Sequence, residues 1–200
     1  MKSEAIVIYG ASGFGREVAW LVESCQDNRI VVCFIDDDEK KQGTDLNGIP
    51  IVGLEQAAER YADAKVIGGI GNPKIRETLM KKAALYGFNF GTVVHPRVEM
   101  SKWIRMGIGA VICAGNIFTT NILLGEHVQI NLSCTIGHDV VLDDYVTLAP
   151  GVHISGCVRC GKRVSIGTGA VIINGIQDKP IIIGDDAVIG AGACVTMSIP

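Results

Sequence analysis

Apolar residues return at every sixth position through the second half of the chain. Cut into six-residue units from Ile104 onward, the sequence contains twelve consecutive units in which the third residue is always apolar. A fixed repeat of this length is typical of a parallel β-helix, in which each unit supplies one short strand and one corner. The third-position residues are Met106, Ile112, Phe118, Leu124, Ile130, Ile136, Leu142, Leu148, Ile154, Cys160, Ile166 and Ile172.

Three units form one triangular coil, so residues 18 positions apart lie in neighbouring strands. The repeat breaks once, at residues 176–180, and resumes at residue 181. The alternative fold, a sandwich of ordinary short strands, repeats every ~8–12 residues and not strictly every six. The period does not determine the handedness of the coil, and a left-handed coil would depart from the right-handed rule for parallel crossovers.

The first half of the chain alternates between strand-like and helix-like patterns, which is typical of a parallel sheet covered by helices. Strands are predicted at residues 5–9, 30–35, 65–70 and 88–94, and helices at residues 14–25 and from Pro73 onward. The sequence therefore predicts an α/β Rossmann-like domain over residues 1–94. An all-β parallel β-helix over residues 95–200 follows it.

Composition and charge exclude several classes of protein. Lys and Arg total 18 against 21 acidic residues, so the basic excess of a nucleic-acid-binding protein is missing. No apolar stretch has the length of a membrane span, and the N-terminus lacks the apolar core of a signal peptide. The seven cysteines fall at scattered positions of the apolar pattern, which predicts reduced thiols and a cytoplasmic protein.

One histidine lies where the coil geometry predicts a catalytic site. His138 is the fifth residue of its unit, an outward-facing corner position, and Gly156 follows 18 residues later, one coil above it. A histidine can accept a proton from an attacking amine or hydroxyl near neutral pH, and the adjacent Asp139 would raise its basicity. The Gly156 N–H could stabilise the oxyanion formed at a thioester carbonyl. The alternative is a solvent-exposed corner histidine without a role.

Metal-binding patterns compete with this interpretation. His127 and His153 occupy the sixth and second positions of their units, so they do not stack on His138 as a three-histidine zinc cluster. Cys157 and Cys160 form a single C-x-x-C without a second pair, and Cys160 falls in the core column. These cysteines are therefore interpreted as packing residues, and no metal site is predicted.

The glycine-rich segment GASGFG, residues 10–15, follows a predicted strand and opens a predicted helix. Free N–H groups at a helix N-terminus bind phosphate, and Asp36 lies at about the distance in sequence where an acidic group meets a ribose hydroxyl. The first domain lacks a second mononucleotide-binding half, which favours one nucleotide carrying a sugar over NAD. The alternative is a glycine turn needed only to reverse the chain.

Several segments together carry a family resemblance. GASGFGREV, FIDD, GIGNPKIR, the junction HP and IGHDVVLDDYVTLAPGVHISG resemble the bacterial sialic-acid O-acetyltransferase family of hexapeptide enzymes over nearly the whole chain. Relatives of that family N-acetylate UDP- or GDP-linked amino sugars for surface glycans. The resemblance implies a left-handed β-helix, acetyl-CoA as co-substrate, and a homotrimer with active sites in the grooves between neighbouring β-helices.

The resemblance also implies three sets of site residues. They are His138, Asp139 and Gly156 in catalysis; Thr147, Thr168 and Ala191 at acetyl-CoA; and Ser12, Gly13, Phe14, Asp36, Asp37 and Asn72 at the nucleotide-linked sugar. Phe14 and Thr147 stand where relatives commonly have histidine. The sequence stops at Pro200, where relatives usually continue through a Gly-x-Pro-Ala turn, so a truncated chain and a differently capped last coil are both open.

The predicted function is acetyl-CoA-dependent acetylation of the amino group of a nucleotide-linked sugar, by direct attack with His138 as general base. O-acetylation of a sialic acid or related sugar is the alternative within the same class. A non-catalytic trimeric sugar-nucleotide-binding module, a zinc-dependent lyase and a dehydrogenase are the alternatives of other classes. Three cationic residues either meet CoA phosphates or form a solvated face: Arg159, Lys162 and Arg163.

Overall fold

The computed structural model describes residues 3–200. The first half forms a six-stranded sheet in the order β3-β4-β2-β1-β5-β6, with β3 and β4 antiparallel and the other pairs parallel. Its elements are β1 (Glu4–Tyr9), α1 (Gly13–Ser24), β2 (Arg29–Ile35), β3 (Asp45–Leu46), β4 (Ile49–Val52), α2 (Leu54–Arg60), β5 (Lys65–Gly68), α3 (Pro73–Leu85) and β6 (Asn89–Phe90).

Both faces of this sheet are buried, which explains why its central strands are apolar at every position rather than at alternate ones. On one face, Ile6 and Ile8 pack against α1 and against the second half of the chain. On the other face, Val7 and Ile35 pack against α2 and α3. Pro73 begins α3, as predicted, at a position where its missing N–H costs no helical hydrogen bond.

The predicted strand at residues 88–94 is wrong in one respect. The structure divides it into β6 and β7 (Val93–Val94), and β7 pairs with β10 (Val111–Ile112) of the β-helix rather than with the first sheet. The separate strand arises because Gly91 N bonds to Val66 O at the end of the first sheet and the chain then leaves it. The short elements β3, β4 and α2 were not predicted. The strands β3 and β4 span only two and four residues, and α2 completes only about two turns, too few to show a helical period.

The second half is a three-sided parallel β-helix with sheets of six, six and five strands. Most strands pair with the strand 18 residues further on, as the six-residue repeat predicted. Its remaining strands are β8 (Glu99–Met100), β9 (Ile104–Met106), β11 (Ile117–Phe118), β12 (Ile122–Leu124), β13 (Gln129–Ile130), β14 (Thr135–Ile136), β15 (Val141–Leu142), β16 (Thr147–Leu148), β17 (His153–Ile154), β18 (Val158–Cys160), β19 (Ser165–Ile166), β20 (Val171–Ile172), β21 (Ile181–Ile183), β22 (Val188–Ile189) and β23 (Cys194–Val195).

The third-position column fills the interior of the prism. Ile136, Leu142 and Leu148 are at most 1% exposed and belong to one continuous apolar cluster. The predicted break in the repeat is confirmed, because Arg159 pairs with Ile182, 23 residues away, instead of with a residue 18 away. The five extra residues form a small outward loop closed by an antiparallel bridge between Ile176 and Lys179.

The corners share a backbone feature that the sequence did not reveal. Every sixth residue from Gly109 to Gly169 has a left-handed conformation, with φ between 54° and 79°. Most of these residues are not glycine, although a side chain makes this conformation costly. Stacked coils hold each corner in place through hydrogen bonds such as that from Asp139 N to Thr120 O. None of the helices within residues 3–200 has the length and apolar character needed to cross a membrane.

Candidate active site

His138 lies at the corner between β14 and β15, and its side chain is 58% exposed. The left-handed backbone of Asp139 turns the carboxylate back toward the ring, so that His138 Nδ1 lies 2.8 Å from Asp139 Oδ2. A carboxylate only accepts hydrogen bonds, so Nδ1 carries the proton and Nε2 of the neutral ring keeps its lone pair. The hydrogen bond from His138 is the main reason that the pKa of Asp139 is lowered.

Gly156 lies directly against the free side of this ring, as the 18-residue spacing predicted. A methyl group at Gly156 would overlap His138 Nε2. The Gly156 N–H has no hydrogen-bond acceptor within residues 3–200. Cys157 N donates to His138 O at 2.9 Å and fixes the two coils to each other. The corner therefore brings together a ring nitrogen able to accept a proton and an unpaired main-chain donor.

The three residues predicted at acetyl-CoA lie elsewhere on the prism. Thr168 and Ala191 are exposed and stack at one corner, where Gly192 N donates to Thr168 O at 2.8 Å. That corner joins β19 to β20, whereas His138 lies at the corner between β14 and β15. Thr147 is buried, and its hydroxyl donates to Gly71 O at 2.9 Å. Within one chain these residues do not meet His138.

In the first half, the strand order reverses between β1 and β5, and the predicted glycine loop lies at this point. Ligands of open parallel sheets bind at such switch points. Ser12 is the N-cap of α1, but its hydroxyl makes no cap hydrogen bond. Gly13 lines a cleft of about 340 Å³ together with Arg16 and Trp20. Sequence reasoning missed Arg16, although it follows the glycine motif in the first turn of α1, which has no acidic residue.

The two aspartates that follow β2, Asp36 and Asp37, have different hydrogen-bond partners. Asp36 accepts from Ala11 N at 3.1 Å and from Lys41 Nζ at 2.9 Å, so it lies beside the glycine loop. Asp37 instead accepts from Tyr9 OH and from Lys82 Nζ, at 2.8 and 2.9 Å. It lines a separate cavity of about 490 Å³ on the α2–α3 side. The structure thus places Asp36, but not Asp37, against the glycine loop.

Phe14 and Asn72 complete the predicted sugar-nucleotide set. Phe14 is half-buried and packs against the apolar cluster beneath α1, so its ring supports the loop. Asn72 Oδ1 accepts from Ile75 N at 3.1 Å and thereby caps α3. The cap uses the carbonyl oxygen of this side chain, and the amide NH₂ group makes no hydrogen bond within residues 3–200.

Arg76 joins the two halves of the chain, and the sequence analysis did not identify it. Its side chain is 1% exposed. Nε donates to His127 O at 3.0 Å and Nη2 to Tyr145 O at 2.6 Å, both on the β-helix. Nη1 donates to Gln129 Oε1 and to Ile70 O, at 2.8 and 2.9 Å, so it also holds the loop after β5. Burial lowers the pKa of Arg76 to about 9.

His127 lies beneath this junction. Its ring is 3% exposed, stacks on Tyr145 at 5.0 Å and meets the edge of Phe90 at 4.6 Å. Nδ1 has no hydrogen-bond partner within residues 3–200. Burial, with a smaller effect of Arg76, lowers the pKa of His127 to about 4. His127 is therefore a neutral packing residue, separate from His138.

Two of the three cations considered for CoA phosphates have acidic partners. Lys162 Nζ lies 2.9 Å from Asp144 Oδ2, and Arg163 Nε lies 2.8 Å from Asp186 Oδ1. Arg159 has no ion pair within residues 3–200 and lies on β18, facing outward. The structure therefore places Lys162 and Arg163 in a network of surface ion pairs.

An α/β domain, a six-residue-repeat β-helix and a corner histidine beside an unpaired N–H define the class of hexapeptide-repeat acyltransferases. Comparison with known proteins agrees with this class. The model of the PglD N-terminal domain matches residues 5–83. GDP-perosamine N-acetyltransferase of Escherichia coli O157:H7 is 32% identical over 183 residues, which cover 88% of this chain and 81% of that protein. The chain belongs to the family of hexapeptide-repeat sugar acetyltransferases.

Solved structures show the same architecture over nearly the whole chain. WeeI from Acinetobacter baumannii AYE superposes with a TM-score of 0.91 at 36% identity, covering 99% of this chain and 94% of that one. The acetyltransferase domain of PglB from Neisseria gonorrhoeae FA1090, in complex with acetyl coenzyme A, gives 0.87 at 29% identity and covers 99% and 93%. The predicted fold class, a Rossmann-like domain followed by a left-handed parallel β-helix, is confirmed.

A third solved structure holds two ligands. PerB from Caulobacter crescentus, in complex with CoA and GDP-perosamine, gives a TM-score of 0.86 at 27% identity and covers 98% of this chain and 90% of that one. Together with the sequence relative, these structures confirm the predicted enzyme class: the chain is an acyltransferase acting on a sugar.

Proposed function

We propose that this protein transfers the acetyl group of acetyl-CoA to the amino group of a nucleotide-linked amino sugar. The relative from Escherichia coli is named for N-acetylation of GDP-perosamine, and neighbouring structures hold acetyl coenzyme A, CoA and GDP-perosamine. The observation that carries the proposal is the corner in which His138 Nε2 faces Gly156 while Nδ1 bonds to Asp139.

In the proposed mechanism the sugar amine attacks the thioester carbonyl directly, and His138 Nε2 takes the proton that the nitrogen loses. The Gly156 N–H donates to the oxyanion as it forms. Asp139 stabilises the imidazolium and keeps Nε2 as the accepting nitrogen. When the oxyanion collapses, the carbon–sulfur bond breaks and the CoA thiolate leaves with the proton from the imidazolium. No acyl-enzyme forms.

We assign sugar-nucleotide binding to residues 1–94 and acetyl transfer to residues 95–200, although β7 already lies in the first coil of the β-helix. The open N-terminus of α1 supports a phosphate contact at Ser12 and Gly13, with Arg16 supplying positive charge. The Asp36 carboxylate holds the glycine loop in place by accepting a hydrogen bond from Ala11 N. The placement of Asp37 in a separate cavity favours Asp36 over Asp37 as the residue that meets the ribose.

We also propose that the protein forms a homotrimer. His138 and the pair Thr168 and Ala191 occupy different corners of one prism, which favours an acetyl-CoA site shared between two subunits. In a groove between two β-helices, the His138 corner of one subunit can lie opposite the Thr168 corner of the next. Sedimentation equilibrium tests this assembly, and a monomer that retains full activity would exclude it. The cytoplasmic location stays a prediction.

Replacement of His138 by Ala tests the mechanism. We expect turnover with acetyl-CoA and GDP-perosamine or a UDP-linked amino sugar to fall by about 10²–10⁴-fold, because general base catalysis contributes that much. His153→Ala is the matched control, since this exposed ring lies on the next coil and, within residues 3–200, bonds only to Thr135. Near-normal turnover of His138→Ala contradicts the mechanism, and no turnover of any amino sugar by the wild type contradicts the proposed substrate.

A further inference from the structure

A thiol completes a group of three different metal-binding side chains at the His138 corner. Cys157 occupies the same sixth position as Asp139, one coil higher, with a similar left-handed backbone (φ 56° against 59°). One ligand atom from each of His138, Asp139 and Cys157 lies within 4.8 Å of the other two. The Cys157 thiol has no hydrogen-bond partner within residues 3–200. No similar group of three occurs elsewhere in that range.

The donor set matches a thiophilic divalent cation. Imidazole nitrogen, thiolate sulfur and carboxylate oxygen are the ligands that zinc takes in proteins, at about 2.0–2.3 Å, which places them roughly 3–4 Å from one another. The three ligand atoms lie within 4.8 Å of one another, so no separation exceeds that range by more than about 1 Å. His138 and Asp139 are 58% and 51% exposed, so their side chains can shift by this small distance toward a metal ion while the stacked corners hold their backbones.

We propose that His138, Asp139 and Cys157 form an inhibitory binding site for zinc or a similar thiophilic cation. Binding releases the thiol proton to solvent, because the thiolate is the ligand. It also occupies one nitrogen of the His138 ring. If that nitrogen is Nε2, the metal blocks the proton acceptor directly. If it is Nδ1, the remaining proton moves to Nε2, which then cannot accept another.

The inhibitory consequence rests on the proposed function, whereas metal binding itself does not. The two parts therefore need separate measurements. Substitution of Cys157 distinguishes metal binding from catalysis, because no contact of this side chain with substrate, acetyl-CoA or the reacting atoms is proposed. Its substitution removes a metal ligand and leaves His138, Asp139 and Gly156 in place.

Binding is measured by titrating the untagged full-length protein with cadmium and following the ultraviolet charge-transfer band of the thiolate–cadmium bond. We expect one cadmium per chain in the wild type. Cys194→Ser, which removes an exposed cysteine on β23, should also bind one cadmium per chain. Loss of a metal's second-shell partners already costs about 10–100-fold in affinity, so Cys157→Ser should weaken binding by at least that factor. No band in the wild type, or an unchanged band in Cys157→Ser, overturns the site.

Inhibition is measured as the initial rate of acetyl transfer with and without zinc. The wild type and Cys194→Ser should lose activity in zinc and recover it with a chelator. Cys157→Ser should keep its basal rate and resist zinc at the same concentration. Unchanged or increased activity in zinc overturns the inhibitory part. Should the proposed function itself fail, the wild type would show no acetyl transfer while still giving the cadmium band, so the two failures are distinguishable.

Discussion

Parallel strands are joined by helices in the first half of the chain and by short corners in the second. Helices α1 and α3 contain 12 and 13 residues, whereas residues 137–140 alone connect β14 to β15. Helical connections differ in length and direction, so they leave loops of individual shape at the strand ends. The corners of the β-helix repeat one left-handed conformation every six residues.

The two kinds of connection, helices and short corners, suit the two regions to different roles. The loops around Ser12 and Asn72 can shape a cleft for one large ligand, because each loop has its own conformation. The corners hold side chains at a fixed spacing, and so His138 meets Gly156 without any long connection between them. Reaction rates depend strongly on such fixed distances. Arg76 bonds to both regions and so contributes to how the loops face the β-helix.

The largest effect is expected where the two regions join. Arg76→Met leaves the carbonyl groups of His127, Tyr145 and Ile70 without their buried donor, which should lower the free energy of unfolding by about 3–5 kcal/mol. Urea unfolding measures this loss. If the junction also orients the sugar nucleotide, the KM for the nucleotide sugar should rise while the KM for acetyl-CoA stays unchanged.

Lys81→Met is the matched control for this substitution, because Lys81 lies on the same helix with a 70% exposed side chain. It should change neither stability nor KM appreciably. A stable Arg76→Met variant with wild-type kinetics would show that the two regions keep their relative orientation without Arg76.

The second prediction concerns the fixed spacing of the corners. Gly156→Ala keeps the main-chain N–H but places a methyl group against His138 Nε2, so the ring must move. We expect turnover to fall by about 10²-fold, the cost of a displacement of roughly 1 Å at a reacting group. Circular dichroism and thermal unfolding should stay close to wild type. Ser155→Ala, next to it on the same corner, is the control, and equal activity of the two variants would contradict the predicted contact.

The smallest effect is expected from pH. His127 has a pKa of about 4 in the folded protein and about 6.5 when unfolded, so the unfolded state binds its proton first as pH falls. Stability is therefore full above about pH 6.5 and is lost toward pH 4, with about 2 kcal/mol lost between pH 7 and pH 5. Urea unfolding at both pH values measures the difference.

His127→Asn removes the titrating group and retains a residue that tolerates the left-handed backbone. Its stability should depend less on pH over the same range. The pKa of His95 is also lowered by burial, so a part of the dependence should remain in this variant. An unchanged slope in His127→Asn would show that His127 is not the group responsible.

The six-residue repeat was sufficient to predict both the β-helix and the contact between His138 and Gly156, because an 18-residue coil determines which residues stack. The glycine loop was likewise predictable, since it combines a strand, a turn and a helix within a few residues. The sequence reasoning did not separate Asp36 from Asp37. Adjacent residues after a strand point to opposite sides, and the side that meets a ligand depends on what packs there.

The sequence by itself determined the repeat, the interior column of the prism and the pairing of corners, because these depend on local periodicity alone. The tertiary structure decided the rest. Arg76 and Thr147 became junction residues through contacts between positions 51 to 76 residues apart. Cys157 joined His138 and Asp139 because its corner turns the thiol toward them. Burial and side-chain direction at these residues depend on contacts between segments that are distant in sequence, so a short sequence pattern does not predict them.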